Sequence, residues 1–239
     1  MSFFDRIVAA ADVKRVMIEP SGALPGRATP TPLRPVNIVT GHPMRGTPDA
    51  AGAFPPGGVG EWPAPLHAVV LAGGCFWGVE EIFWQIPGVY TTAVGYAGGY
   101  TPNPTYEEVC TARTGHTESV LVVFDPDQVT LDELLQTFFT SHDPTQEMRQ
   151  GNDIGTQYRS AVFTFDDADA DLAAAAARRF EPVLAEAGYG PVTSQISRLS
   201  EAGDGAFYYA EDYHQQYLHK NPNGYRCHVS TGLTFPSAG

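Results

Sequence analysis

The sequence predicts an α+β domain with helices packed on a mixed sheet, and three observations carry that reading. Short apolar runs bounded by turn residues recur along most of the chain. Between them stand amphipathic stretches of helical period and unequal length. Upstream of both, the chain changes character near residue 65, where a Pro-, Gly-, Ala- and Thr-rich region gives way to a globular pattern.

In that first region, clusters such as Pro30-Thr31-Pro32 and Pro55-Pro56-Gly57-Gly58 remove backbone donors and fix φ, which excludes a continuous sheet or a long helix. A helix is expected over residues 3–17. The rest reads either as a disordered tail or as an extended arm lying on the body. Leu33, Val36, Ile38, Val39 and Phe54 give an arm something to bury and favour it. The expected division is a Pro/Gly-rich N-terminal arm, 1–66, and a globular domain, 67–239, ending in a flexible segment.

Residues 68–72 (AVVLA) read as a short buried strand that Gly73-Gly74 break. A helix follows, because Val79, Ile82, Phe83 and Ile86 fall at i, i+3, i+4 and i+7, and Pro87-Gly88 end it. Residues 89–94 and 119–124 read as strands. Thr130-Leu131-Asp132-Glu133 is a capping box, with Leu131, Leu134, Leu135, Phe138 and Phe139 on one apolar face behind it. Residues 160–165 form another strand. Residues 166–187 are helical, with Leu172, Ala176, Phe180 and Leu184 on one side and a kink or split expected at Pro182. A strand near 193–197 follows. Tyr209, Tyr213 and Tyr217 recur every four residues, as a packed helical stripe would. The run from Gly95 to Tyr100 has no following lysine or helix, so it reads as a turn and not as a phosphate loop.

A chain of 239 residues, 43 % of them hydrophobic, can bury a substantial core. No apolar run approaches the roughly 20 residues that span a bilayer. Asp5, Arg6, Asp12, Lys14 and Arg15 interrupt the first apolar stretch, which does not suit a secretory signal. A cytoplasmic protein without membrane attachment is expected. The net charge of −13 repels a phosphate backbone and argues against nucleic-acid binding. Cys75, Cys110 and Cys227 are odd in number and widely spaced, a poor disulfide framework and a poor zinc site, so three free thiols are expected. His214 and His219, five apart, do not share a helix face, and no metal is expected there. Cys110 reads as a packed helix position, and His116 as a scaffold or hydrogen-bond partner.

The segment Gly73-Gly74-Cys75-Phe76-Trp77-Gly78-Val79-Glu80 is the most informative one. Its cysteine stands between a buried strand and the first turn of a helix, where unpaired N–H groups and the helix dipole lower a thiol pKa. The glycines allow a sharp turn and the approach of a substrate. Phe76 and Trp77 offer an aromatic wall for a small apolar group. On local chemistry alone, a buried structural cysteine near a turn remains the alternative.

This segment resembles the signature of the A-type peptide-methionine sulfoxide reductases, which act on the S epimer at sulfur. Further segments resemble the family in the same order: Gly95 to Tyr100, Pro102-Asn103-Pro104-Thr105-Tyr106, Gly115-His116-Thr117-Glu118, Gly151-Asn152-Asp153, Gln157-Tyr158-Arg159-Ser160 and Tyr213-His214-Gln215-Gln216-Tyr217-Leu218. The resemblance runs from about residue 68 to 225 and leaves out the arm. It implies a two-layer α+β sandwich with a largely antiparallel sheet around a ferredoxin-like core.

The resemblance also implies roles. Cys75 matches the nucleophile, and Glu118 the acid that protonates the sulfoxide oxygen; burial would keep that acid protonated. Tyr106 and Tyr158 match hydroxyls directed at the same oxygen, neutral donors that bring no competing charge. Asp153 matches a position that orients neighbours or water, and Phe76 and Trp77 the cradle of the sulfoxide methyl. Attack would leave a sulfenic acid on Cys75, resolved by Cys227 and then reduced by thioredoxin. Many members place the resolving cysteine directly after Gly-Tyr and add another further on. This chain has Arg226 between Tyr225 and Cys227 and no later cysteine, which implies a single resolving thiol. The expected substrates are free methionine sulfoxide and methionine sulfoxide-containing proteins, with no cofactor and a monomeric enzyme. Two other classes stand beside this one. One is a cysteine acyl-transferase, which would need a histidine base that no sequence feature singles out. The other is a non-catalytic module that binds methionine or its sulfoxide.

Overall fold

The computed structural model of the chain describes residues 13–48, 58–227 and 229–236. The helix expected over 3–17 lies mostly outside these residues, and Phe54 wholly so. Six strands form one sheet in the order β7-β6-β1-β3-β2-β8. They are β1 (His67–Ala72), β2 (Val89–Ala97), β3 (Thr117–Phe124), β6 (Ala161–Thr164), β7 (Gln195–Arg198) and β8 (Phe207–Tyr209). A two-stranded hairpin, β4 (Arg149–Gln150) and β5 (Asp153–Ile154), stands apart from it. Among the described strands only the β6–β7 pair is parallel; β1–β3, β1–β6, β2–β3 and β2–β8 are antiparallel.

The central order β6-β1-β3-β2 is that of a ferredoxin-like core. Helix α1 (Phe76–Trp84) joins β1 to β2, and β3 returns between them. Helix α3 (Leu131–Ser141) follows β3, and α4 (Asp167–Glu186) follows β6. Short α2 (Tyr106–Cys110) and α5 (Tyr217–Lys220) sit in the connections.

Alternation along the strands builds two cores, because successive side chains face opposite sides of a sheet. Val69 and Leu71 of β1, with Val120 and Val122 of β3, face the helices and meet Phe76 and Phe83 of α1, Leu135 and Phe138 of α3 and Phe180 of α4. The capping box at Thr130 and Glu133 is present, and the five apolar residues expected on α3 are all buried. Helix α4 runs unbroken through Pro182. Phe180 and Leu184, on either side of the proline, are both fully buried, so both halves pack on the same core.

Val70, Leu121, Val123, Phe163 and Phe207 face the other way, where Met44 and Val59 of the N-terminal region cover them with Leu33, Trp62 and Leu66. Asn37, fully buried, pins this layer to the sheet. Its Nδ2 donates to the Thr92 carbonyl and hydroxyl at 3.0 and 3.1 Å, and its Oδ1 accepts from the N–H groups of Val39 and Thr40.

Two readings of the sequence are corrected. The tyrosine triad is not a helical stripe: Tyr209 ends β8, Tyr213 is 53 % exposed in a turn, and Tyr217 begins α5. Side-chain hydrogen bonds overrule the helical period here. Gln215 takes the backbone of Val94 on both sides, and Glu80 holds the N–H of Gln216, whose φ is +47°. The run from Gly95 to Tyr100 is half strand, because Gly95, Tyr96 and Ala97 belong to β2, and only its second half turns.

Asn37→Ala leaves the Thr92 carbonyl and two backbone N–H groups without their partner, which costs about 2–3 kcal/mol. Urea unfolding checks this, and a loss under about 0.5 kcal/mol would mean that water replaces the amide and the layer is only loosely held.

Candidate active site

Cys75 caps the N-terminus of α1 at the end of β1, and is 7 % exposed. The chain reaches it through Gly74 at φ +97°, where a Cβ would lie 2.7 Å from Cβ of Gln150, so the turn and the hairpin close together only around glycine. Leu71 pairs with Val120, which places the start of β3 level with this turn. Glu118 stands there, 2 % exposed, and its Oε2 accepts the N–H of Phe76 at 3.0 Å.

Burial raises Glu118 to about 8; the Phe76 N–H opposes the shift and the charge of Asp153 adds to it. At neutral pH the group is mostly a carboxylic acid. The thiol departs from expectation. Burial and the negative potential of Glu118 push Cys75 well above the ordinary thiol range, and the N–H of Trp77 lowers it only in part. Desolvation outweighs the helix N-terminus because the sulfur lies inside the fold and not at its surface.

Tyr106 and Tyr158, both half-buried, come to the same place, and burial and Glu118 raise both phenols. Tyr106 opens α2, whose capping box of Thr105 and Glu108 the sequence reading overlooked although the T-x-x-E pattern is legible. Glu211 accepts the N–H of Tyr106 and the hydroxyl of Tyr96, each at 2.9 Å, and so fixes where α2 begins. Tyr158 ends a 3₁₀ turn, Thr156–Tyr158, that the Thr117 hydroxyl holds by donating to the carbonyls of Gln157 and Arg159. His116 accepts the N–H of Gly99 through Nδ1, and its Nε2 meets the Thr101 carbonyl, so it is a scaffold for the turn after β2.

An aromatic cluster stands beside the thiol. Trp77 stacks on Tyr217 at 4.0 Å, and Phe76, fully buried, lies 6.4 Å from the Tyr106 ring. His214 sits among them, its Nδ1 accepting the Trp77 N–H at 3.1 Å, and burial lowers it to about 4, so the ring is neutral. Behind α1, Glu80 is fully buried and is raised by burial to about 7. It accepts from Thr92, the Gln216 side chain and the Gln216 N–H. Glu80, His214 and Gln216 stand in segments quoted above without a role of this kind, and Glu211 stands in none of them. A glutamate inside the apolar face of α1 was the available signal for the first.

On the far side of Cys75, the C-terminal segment returns. Cys227 and Cys75 line one cavity of about 140 Å³ with Gly78, Glu81, Ile82 and Ser230. The Cys227 Sγ lies 3.6 Å from the Gln150 carbonyl, and the Tyr225 hydroxyl donates to both oxygens of Asp153 at 3.1 and 3.2 Å. All three cysteines are free thiols, and Cys110, half-buried, ends α2. The structure therefore brings together Cys75, Glu118, Tyr106, Tyr158, Asp153, Phe76, Trp77 and Cys227.

Comparison with known proteins agrees with this geometry. The family model for peptide methionine sulfoxide reductase matches residues 67–235. A relative named peptide methionine sulfoxide reductase MsrA, from Brucella anthropi, is 51 % identical over 99 % of this chain and 98 % of its own length. The protein of that name from Brucella melitensis is 52 % identical over the same shares. Both alignments therefore extend through the N-terminal region that the family model leaves out. Among solved structures, methionine sulfoxide reductase A of Corynebacterium diphtheriae superposes with a TM-score of 0.78 at 43 % identity, over 93 % of this chain and all of that one. Reduced Mxr1 of Saccharomyces cerevisiae gives 0.61 at 37 % identity, over 71 % and 94 %. The chain belongs to the peptide methionine sulfoxide reductase family.

Proposed function

We propose that Cys75 attacks the sulfur of the S epimer of methionine sulfoxide while Glu118 protonates its oxygen. The observation that carries this reading is the buried Glu118, its carboxyl raised to about 8 by desolvation, held against the N-terminus of the helix that begins at Cys75. A sulfoxide sulfur becomes electrophilic when its oxygen is protonated, so acid and nucleophile must act together. The hydroxyls of Tyr106 and Tyr158 add neutral donors to that oxygen. Asp153 orients the segment that carries Cys227 through Tyr225. The resting site holds a neutral thiol beside a neutral acid. As the Glu118 proton moves to the sulfoxide oxygen, the thiol proton restores the acid, and sulfoxide and thiol become methionine and a Cys75 sulfenic acid.

Trp77 forms the accessible wall for the methyl group, backed by Phe76, and the other epimer would turn that methyl against the oxygen donors. The recognised groups are sulfur, oxygen and methyl, common to the free amino acid and to residues in proteins, so both are substrates and oxidised proteins are repaired. Cys227 then closes a disulfide with Cys75, and thioredoxin, a low-potential dithiol, reduces it. No helix among the described residues is long and apolar enough to cross a membrane. Three free thiols suit a reducing cytoplasm as the place of action.

Turnover of separate S and R epimers tests the assignment. Wild type is expected to reduce only the S form, with dithiothreitol or thioredoxin, and Cys75→Ser to lose both reactions. Turnover that survives in Cys75→Ser would overturn it. Cys227→Ser is expected to keep a single turnover and to lose the thioredoxin-driven reaction.

The acid gives a pH signature. The first step should fall as pH rises through about 8, where Glu118 loses its proton. Glu118→Gln should slow it by about 10²–10⁴ and remove that limb. Because the folded value lies above the ordinary 4.5, the stabilisation from Glu118 is complete below pH 4.5 and is lost as pH rises through about 8. Wild type should therefore weaken relative to Glu118→Gln between pH 5 and 9 in urea unfolding, and parallel curves would contradict the raised value.

A further inference from the structure

Arg226 occupies the position where many members of the family carry the resolving cysteine, and its side chain does something specific here. Its Nε donates to Oε2 of Glu81 at 2.6 Å and its Nη2 to Oε1 at 2.7 Å, a two-pronged pair on the exposed turn of α1. Nη1 donates to the Pro222 carbonyl at 2.8 Å, so the guanidinium also closes the loop that leads to it. The two side chains are only 24 % and 22 % exposed. A fully exposed ion pair contributes little, but a bidentate, partly desolvated one fixes direction as well as distance.

The segment needs such fixing. Helix α5 ends at Lys220, and no helix or strand follows among the described residues. Residues 225–227 and Val229 are held by side-chain contacts. The Tyr225 hydroxyl meets Asp153, Cys227 lies by the Gln150 carbonyl, and Val229 fills the space beside Gly151, where its Cγ2 is 2.2 Å from the place of a Cβ. Those three contacts all go to the β4–β5 hairpin. Among the described residues, the Arg226–Glu81 pair is the side-chain hydrogen bonding that ties the segment to α1, the helix that begins at Cys75. The Cys227 carbonyl passes over Gly78, 3.9 Å from where its Cβ would be, one turn from the nucleophile.

We propose that the Arg226–Glu81 pair is a positioning device that holds Cys227 across the cavity from Cys75 for disulfide closure. This rests on the reading of Cys227 as the resolving thiol. In the closing step the Cys227 sulfur attacks the sulfenic sulfur of Cys75. The S–S bond forms, the S–O bond breaks, and the oxygen leaves as water with the Cys227 thiol proton, so no outside oxidant or reductant takes part. Without the pair, the segment spends less time in reach and closure slows, while the attack on sulfoxide, which uses neither residue, does not.

The test uses the reduced full-length protein and one equivalent of the S epimer of free methionine sulfoxide, without external reductant. Methionine release, loss of free thiols and capture of sulfenic acid by dimedone are followed in parallel. Arg226→Ala and Glu81→Gln are expected to release methionine at the wild-type rate, to close the disulfide at least tenfold more slowly and to leave a dimedone-reactive Cys75. Arg226→Lys, which keeps the charge but not the fork, should recover part of the closure rate. Closure at the wild-type rate in Arg226→Ala would overturn the proposal, as would equal slowing of both steps, which marks a general structural defect. Cys227→Ser is run alongside. A disulfide that still closes without Cys227 would refute the resolving role itself and not the positioning claim alone.

Discussion

A carboxylic acid buried where two strands and a helix meet is the constraint on which the rest of the site depends. Glu118 lies on β3, the strand flanked by β1 and β2 and covered on both faces, so water cannot solvate its charge. The single N–H of Phe76 compensates only in part, and the group keeps its proton. The same burial that makes it an acid at neutral pH raises the neighbouring thiol. In the proposed reaction the site stores its proton on the group that donates it, and the attacking thiol stays uncharged until a sulfoxide accepts that proton. The acid and the thiol are two results of one desolvated volume.

Several polar residues that touch no reacting atom hold this volume in shape. Glu211 sets the start of α2 and with it Tyr106; Thr117, and Arg159 through the Thr156 carbonyl, hold the turn of Tyr158; the Trp77–His214 hydrogen bond ties α1 to the segment after β8. Glu80 gathers α1, β2 and Gln216 into one buried network, and Gln216 continues it to Met44 and Ile38 of the N-terminal region. A buried polar network that is fully paired rigidifies its surroundings. Through it, the layer over the second sheet face is in contact with the back of α1, which gives the N-terminal region a physical link to the Cys75 end of that helix beyond covering apolar surface.

The fold and much of the site were legible before the structure because they rest on local pattern. The capping box and five apolar residues of α3, the strand–Gly-Gly–helix passage around Cys75, and the apolar runs of β1, β3 and β6 each declare themselves within a dozen residues. What was not legible depends on partners distant in the chain. The period of Tyr209, Tyr213 and Tyr217 is helical, yet Gln215 and Glu80 claim the backbone between them. The helix N-terminus at Cys75 suggests a lowered thiol pKa, yet burial decides the sign. Pro182 suggests a split, yet α4 is continuous through it, with buried residues on both sides. Glu211 carries no local mark, and Gln216 stands in a quoted segment without its role, because both roles exist only once Tyr106 and Glu80 have been brought beside them.

The most direct test of the central claim is the protonation state of Glu118 itself. Infrared difference spectra of ¹³C-glutamate-labelled protein, wild type minus Glu118→Gln, would follow the protonated carboxyl band across the pH range. The band is expected to persist through neutral pH and to disappear with a midpoint near 8. A midpoint near 4.5, the ordinary value, would mean that the group is ionised at rest and that the sulfoxide oxygen receives its proton from elsewhere.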